Sequence, residues 1–127
     1  DQLGKAEVPM DKPLITQVSR LDPWKDPEGV IDVFKIVRQQ VDCRLVLCYN
    51  VASDDPEGLQ MYKKVVRKAN KMLETGDIRL VVRQARQAGV DAIEQLQIFI
   101  DRVSRLDRFS NLFTENVDGA HGPLLIE

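Results

Sequence analysis

Histidine, cysteine and long apolar runs are scarce in this sequence. A structural zinc site lacks ligands, because the chain has one histidine, His121, and two cysteines, Cys43 and Cys48. The two cysteines are five residues apart in a predicted strand, so they point to opposite faces and cannot form a disulfide with each other. We expect two small core residues in a reducing compartment and neither a metal nor another cofactor.

No apolar run approaches the roughly 18 residues that cross a bilayer. The stretch from Asp1 to Met10 also lacks the basic flank and apolar core of a signal peptide. Charge of either sign is not in excess: 18 Lys and Arg stand against 20 Asp and Glu, for a net charge of -2. These features predict a cytoplasmic protein without a membrane or nucleic-acid partner, and 127 residues predict one compact domain.

Strand and helix patterns alternate through the first two thirds of the chain. Three short apolar stretches are typical of strands, at Leu14 to Ser19, Arg44 to Tyr49 and Ile78 to Val82. Between them, Asp26 to Gly29 and Asp55 to Gly58 share the letters DPEG, in which Asp is the N-cap and Pro the first residue of a helix. The alternation predicts an α/β fold with a three-layer, Rossmann-like parallel sheet.

Three segments are expected from these patterns. Residues 1–12 are polar and aperiodic, as in a linker or tail, and residues 13–82 form a Rossmann-like half-domain. Residues 83–127 form a helical extension, with helical spacing of apolar residues from Asp91 to Arg108, and a loop-like C-terminus from Phe109. About three strands make an incomplete sheet, which is typical of part of a larger unit.

Polar and charged residues that suit a binding site concentrate in one stretch, Val18 to Asp26. It lies where the first strand ends and the first helix begins, the edge at which doubly wound sheets bind ligands. Arg20 and Lys25 flank the turn, and a guanidinium and an ammonium together suit a diphosphate. Spacing alone suits two solvated loop charges as well. Trp24 is expected to pack beside the loop rather than to stack on a base.

Other charged features favour structural interpretations. The basic stripe on the second helix opposes a regular apolar face, which is typical of a solvated helix surface (Lys63, Lys64, Arg67, Lys68 and Lys71). His121 lies in the loop-like end without a neighbouring ligand or nucleophile in the sequence. The sequence has no Walker loop, no G-x-G-x-x-G and no triad spacing, so no catalytic residue is assigned.

The segment VSRLDPWKD, from Val18 to Asp26, resembles the end of the first strand in the C-terminal, donor-binding domain of retaining glycosyltransferases with two Rossmann domains (the GT-B class). More narrowly, it is similar to that of the trehalose synthases that transfer glucose from a nucleotide sugar. DDPEG, from Asp54 to Gly58, matches the segment after the second strand in that family. The resemblance covers about residues 13–82, and the tail does not match.

The resemblance implies that Arg20 and Lys25 bind the diphosphate of a nucleotide-sugar donor, with a nucleoside-diphosphate glucose as the expected substrate. The glutamate-bearing segment and the acceptor domain of such enzymes have no counterpart here, so we expect a glycosyltransferase fragment that is inactive in isolation. The alternative is a noncatalytic α/β module for assembly or regulation. An open edge of the incomplete sheet favours a homodimer in that case.

Overall fold

The computed structural model describes residues 10–51, 56–84, 95, 98–100, 102–103, 105–109, 111–116 and 121–123. The strands are β1 (Leu14–Arg20), β2 (Arg44–Val51), β3 (Ile78–Gln84), β4 (Leu112–Asn116) and β5 (His121–Pro123). The helices are α1 (Pro27–Arg38), α2 (Pro56–Ala69) and α3 (Lys71–Thr75), and short 3₁₀ turns occupy Pro23–Lys25 and Asp107–Phe109.

The five strands form one sheet in the order β1-β2-β3-β4-β5. The first four are parallel and β5 is antiparallel to β4. One row across the parallel strands runs from Gln17 through Leu47 and Leu80 to Leu112. All three predicted strands are present and pair in parallel, so the prediction of an α/β, incomplete Rossmann-like fold is confirmed.

The predicted helix starts are confirmed at Pro27 and Pro56, where α1 and α2 begin. The first start has its expected N-cap in Asp26, whereas Asp55 lies outside the described residues. Apolar residues at helical spacing after Pro56 predict one helix that Gly76 closes, but Asn70, whose φ is 30°, ends α2 and separates it from α3. Gly76, with a φ of 83°, then closes α3 as expected.

The main core lies between the sheet and the described helices. Leu47 and Tyr49 of β2 are fully buried there with Phe34 of α1 and Tyr62 of α2. A second, small cluster on the other face contains no residue of a described helix (Val46, Cys48, Val81 and the flanking Leu14). The described residues thus supply two of the three expected layers.

The two cysteines behave as expected. Both are buried free thiols, with Cys43 in the main core and Cys48 in the cluster on the opposite face.

The C-terminal part contains more regular structure than the sequence predicted. Residues described between 95 and 103 are helical, in agreement with the expectation, but β4 and β5 replace the loop-like end. Asn111 explains the position of β4: its amide donates to the Leu73 carbonyl at 2.5 Å and its oxygen accepts a hydrogen bond from Arg79. Such short strands depend on pairing with a neighbouring strand, β4 with β3 and β5 with β4, rather than on a local pattern, so periodicity did not predict them.

The last residues before β1 are fastened to the sheet. Asp11 and Arg44 form an ion pair of 2.8 Å, and Arg44 also donates to the Gly76 carbonyl at 2.8 Å. Lys12 pairs with Asp42 at 3.2 Å. Residues 1–9 of the expected linker lie outside the described residues, and the domain limits at 12 and 82 stay predictions. Among the helices of the described residues, none combines the length and the apolar character that a bilayer-spanning segment requires.

Candidate functional site

The chain turns from β1 to α1 through a compact, hydrogen-bonded segment. Leu21 is 2% exposed and donates its amide to the Asn50 carbonyl at 3.1 Å, so the end of β1 is fixed against β2. Asp22 caps the Pro23–Lys25 turn, since its carboxylate accepts from the Trp24 amide at 2.8 Å. The turn therefore has a defined backbone although none of its side chains is buried.

Asp26 joins this turn to α1. Its amide donates to the Pro23 carbonyl at 3.1 Å and closes the turn, while its carboxylate accepts from the Gly29 amide at 3.1 Å and caps the helix. Its φ of 46° lies in the left-handed region, which Asp tolerates better than most residues. Because this carboxylate already occupies the helix N-terminus, an anion at this edge depends on the cations more than on the helix.

Arg20 and Lys25 are both exposed at the carboxyl edge of the sheet. In the described part of the chain, neither side chain forms an ion pair or a hydrogen bond, so both remain accessible to a ligand. Arg20 is in register with Asn50, which is itself in register with Arg83 of β3. The sheet thus places a second arginine on the same row, about 10 Å from Arg20 at the usual strand spacing. Neither Asn50 nor Arg83 was predicted from the sequence.

Two linked hydrogen bonds connect the Lys25 end of the turn to the sheet. Gln17 donates its side-chain amide to the Lys25 carbonyl at 3.0 Å, and the Tyr49 hydroxyl donates to the Gln17 carbonyl oxygen at 2.6 Å. Sequence patterns alone identified neither residue. The one signal for Gln17 is that it is the only amide side chain in the predicted strand PLITQVS.

Trp24 does not pack beside the loop as expected. It is 93% exposed, and no residue of the 3₁₀ turn that carries it is buried. An apolar groove of about 410 Å³ opens nearby, between β1 and α1 (lined by Ile15, Lys25, Asp26, Gly29, Val30, Val33 and Phe34).

The basic stripe of α2 has local partners. Lys68 pairs with Asp32 of α1 at 3.0 Å, and the Lys63 ammonium lies 5.5 Å from the centre of the Phe99 ring. These contacts agree with the prediction that the basic stripe is a structural helix surface. Within the residues that the structure describes, no group of three or more His, Cys, Asp or Glu side chains is arranged to hold a metal ion.

Comparison with known proteins finds similarity to trehalose synthases. The chain is 49% identical over 63 residues to that of Rubrobacter xylanophilus, a stretch that is 49% of this chain and 15% of that protein. It is 34% identical over 118 residues to that of Thermococcus litoralis, covering 89% of this chain and 27% of the relative. No family model matches, and no solved structure matches.

The extent of these matches corrects one expectation. An alignment over 89% of the chain cannot be confined to residues 13–82, so the similarity to the Thermococcus litoralis protein extends into the tail that was expected not to match. The chain spans between 15% and 27% of the length of the two trehalose synthases compared here. Together these similarities support a relationship to trehalose-synthase-like glycosyltransferases.

Proposed function

We propose that this chain supplies the donor-diphosphate-binding loop of a nucleotide-sugar-dependent, trehalose-synthase-like glycosyltransferase. One observation carries the proposal. Arg20 and Lys25 flank a hydrogen-bonded turn at the carboxyl edge of a parallel sheet, and both cations are exposed without a protein partner among the described residues. Two such cations suit a diphosphate, because a guanidinium gives two parallel hydrogen bonds and an ammonium adds a point charge.

The proposed chemical role is stabilisation of the leaving group. Negative charge grows on the phosphate oxygen as the bond between glucose and the nucleotide breaks, and preorganised cations that face this oxygen lower the barrier. The backbone of the turn is already fixed by Asp22 and Asp26, so little reorganisation is required when the donor binds. The role needs neither a metal nor a protein nucleophile from this chain.

The proposed donor is a nucleoside-diphosphate glucose. The described residues that suit it hold phosphate rather than base or ribose, so we propose weak binding with a Kd of about 1 mM, or about -4 kcal/mol. We expect no glucosyl transfer by the 127-residue chain alone. Correct positioning of both substrates contributes about 7 to 11 kcal/mol in well-oriented reactions, and Arg20 and Lys25 do not position an acceptor.

Isothermal titration tests the binding. The purified chain is titrated with the diphosphates of uridine, adenosine and guanosine and with the glucose conjugate of each. We expect millimolar binding that weakens as the salt concentration rises from 0.01 to 1 M, about the range over which the screening length falls from 30 to 3 Å. Absence of binding by all six compounds at low salt contradicts the proposal.

A second candidate function is assembly through the sheet edge. β1 is the edge strand of the described sheet, and its Ile15 and Val18 are 37% and 67% exposed. An edge strand with exposed apolar residues on both faces favours pairing with another strand, and here we propose a second copy of this chain. Sedimentation equilibrium tests this candidate: a dimer that Val18→Lys converts to a monomer supports it, and a wild-type monomer at millimolar concentration contradicts it.

A further inference from the structure

The Pro23–Lys25 turn lacks the apolar packing that normally fixes a loop. Its residues are exposed, and its own hydrogen bonds join atoms at most three residues apart. Local bonds of this kind define the shape of the turn but not its orientation on the sheet. Buried Leu21 and Pro27 hold the chain on either side of the turn, and a contact between the turn and the sheet adds a fixed point at the Lys25 end.

Gln17 provides this contact. It lies on β1, eight residues before Lys25, and its Nε2 donates to the Lys25 carbonyl at 3.0 Å. Its Oε1 accepts from the Tyr49 hydroxyl at 2.6 Å. The two bonds determine the orientation of the amide, because a carbonyl can only accept and must face Nε2, which leaves Oε1 for the hydroxyl.

Tyr49 anchors the chain of contacts in the core. Its side chain is fully buried on β2, so the ring cannot follow the motion of an exposed loop. Burial raises the pKa of the Tyr49 hydroxyl far above its ordinary value, so the hydroxyl keeps its proton and remains a donor at any physiological pH. The direction of the contacts, from Tyr49 to Gln17 to the Lys25 carbonyl, is therefore fixed.

We propose that Gln17 and Tyr49 are positioning residues that orient the Lys25 turn toward the donor diphosphate. The inference rests on the proposed function, since the ligand in question is the one assigned to Arg20 and Lys25. Neither residue needs to touch that ligand. They restrict the motion of the turn before the ligand binds. Less conformational entropy is then lost on binding.

The test uses the single tryptophan of the chain as a reporter. Trp24 is adjacent to Lys25 and 93% exposed, so its fluorescence anisotropy measures the motion of the turn. Tyr49→Phe removes the hydroxyl and with it the hydrogen bond to Gln17. Gln17→Met removes both bonds at similar size, and Gln17→Glu keeps an acceptor for Tyr49 but loses the donor to Lys25.

Tyr62→Phe is the matched control. Tyr62 is as deeply buried as Tyr49, but its hydroxyl has no hydrogen-bond partner among the residues that the structure describes. The same chemical change is thus made in the same core without affecting the turn. Circular dichroism and urea unfolding confirm that each variant is folded before it is compared.

We expect lower residual anisotropy of Trp24 in Tyr49→Phe, Gln17→Met and Gln17→Glu, and an unchanged value in Tyr62→Phe. The Kd for a nucleoside diphosphate should rise about two- to tenfold in the first three variants, as the loss of one net hydrogen bond predicts. If folded Tyr49→Phe and Gln17→Met match Tyr62→Phe in anisotropy, the positioning role is wrong.

The same data separate this inference from the proposed function. A wild-type chain that binds no diphosphate, with reduced anisotropy in the Gln17 and Tyr49 variants, refutes the function and leaves the control of the turn standing. Diphosphate binding that Gln17→Met and Tyr49→Phe leave unchanged, together with unchanged anisotropy, refutes the positioning role and leaves the function standing.

Discussion

The Asp26 carboxylate occupies the space that a side chain at position 29 would require. Its Oδ1 accepts a hydrogen bond from the Gly29 amide at 3.1 Å, and a Cβ built on Gly29 would lie 2.1 Å from its Oδ2. Glycine is therefore needed here to admit the capping carboxylate, not for a special backbone angle. The arrangement couples the turn that carries Lys25 to the first turn of α1.

Gly29→Ala should destabilise the wild-type protein but not a variant that lacks the carboxylate. In the wild type the new methyl displaces the cap, and loss of a cap costs about 0.5 to 2 kcal/mol. In an Asp26→Gly background, which retains freedom for the positive φ, the same change should stabilise by up to about 1 kcal/mol through helix propensity. Urea unfolding of the four proteins measures the coupling.

Equal effects of Gly29→Ala in the two backgrounds would show that the carboxylate and position 29 do not compete for space. A strongly destabilised Gly29→Ala protein in both backgrounds would instead place the obstacle in another part of α1.

Tyr62→Phe should leave the stability unchanged or raise it by up to about 1 kcal/mol. The buried Tyr62 hydroxyl loses its water and gains no partner within the described part of the chain, so its removal relieves a desolvation cost while the ring keeps its edge-to-face contact with Phe99 at 5.8 Å. Urea unfolding measures the change. A loss of more than 1 kcal/mol would reveal a hydrogen bond from Tyr62 to a residue outside the described ranges.

Asn111→Ala should weaken the attachment of β4. Removal of the amide leaves the Leu73 carbonyl and the Arg79 guanidinium without their shared partner, at a cost of about 1 to 3 kcal/mol. In the variant, amide hydrogen exchange should become faster at Leu112 and in the rest of β4 than in the wild type, whereas exchange in β2 should stay the same. Unchanged protection of β4 would mean that strand pairing alone holds the C-terminal part.

Acid should destabilise the protein through Asp77. Burial alone raises the pKa of this carboxyl, but the hydrogen bond from Thr75 and the ion pair with Arg38 at 2.7 Å lower it further than burial raises it, so its net pKa is below the ordinary value. The ionised Asp77 carboxylate therefore stabilises the folded protein. This stabilisation is complete above the pKa of about 4 that Asp has in the unfolded chain, and it is lost as the pH falls through the lower pKa of the folded state.

Urea midpoints measured between pH 2 and 6 check this prediction. The fall in stability below about pH 4 should be smaller in Asp77→Asn than in the wild type. Identical acid profiles for the two proteins would assign the acid sensitivity to other carboxylates.

Local patterns in the sequence predicted the parts of the fold that local chemistry determines. The two DPEG segments predicted the starts of α1 and α2 because helix capping involves residues that are neighbours in the sequence. The apolar run before Tyr49 predicted a strand because a strand buried on both faces consists mostly of apolar residues. β4 depends on contacts of Asn111 with Leu73 and Arg79, more than 30 residues away, and no local pattern records these.

The candidate site was predictable to a similar degree. Arg20 and Lys25 stand out in the sequence because charged residues follow a strand, and the structure places both at the expected edge. Gln17 and Tyr49 escaped detection because their relation to Lys25 arises only when β1 pairs with β2.

A charge-matched pair of double variants tests whether Arg20 and Lys25 bind the diphosphate. Arg20→Ala with Lys25→Ala removes the proposed diphosphate contacts, and Lys64→Ala with Arg67→Ala removes one lysine and one arginine from the exposed surface of α2. Both are titrated with uridine diphosphate beside the wild type, at low salt and after circular dichroism has shown that they are folded. We expect binding near 1 mM for the wild type and the α2 variant, and none for the Arg20 and Lys25 variant. Equal binding by all three proteins would contradict the proposed function.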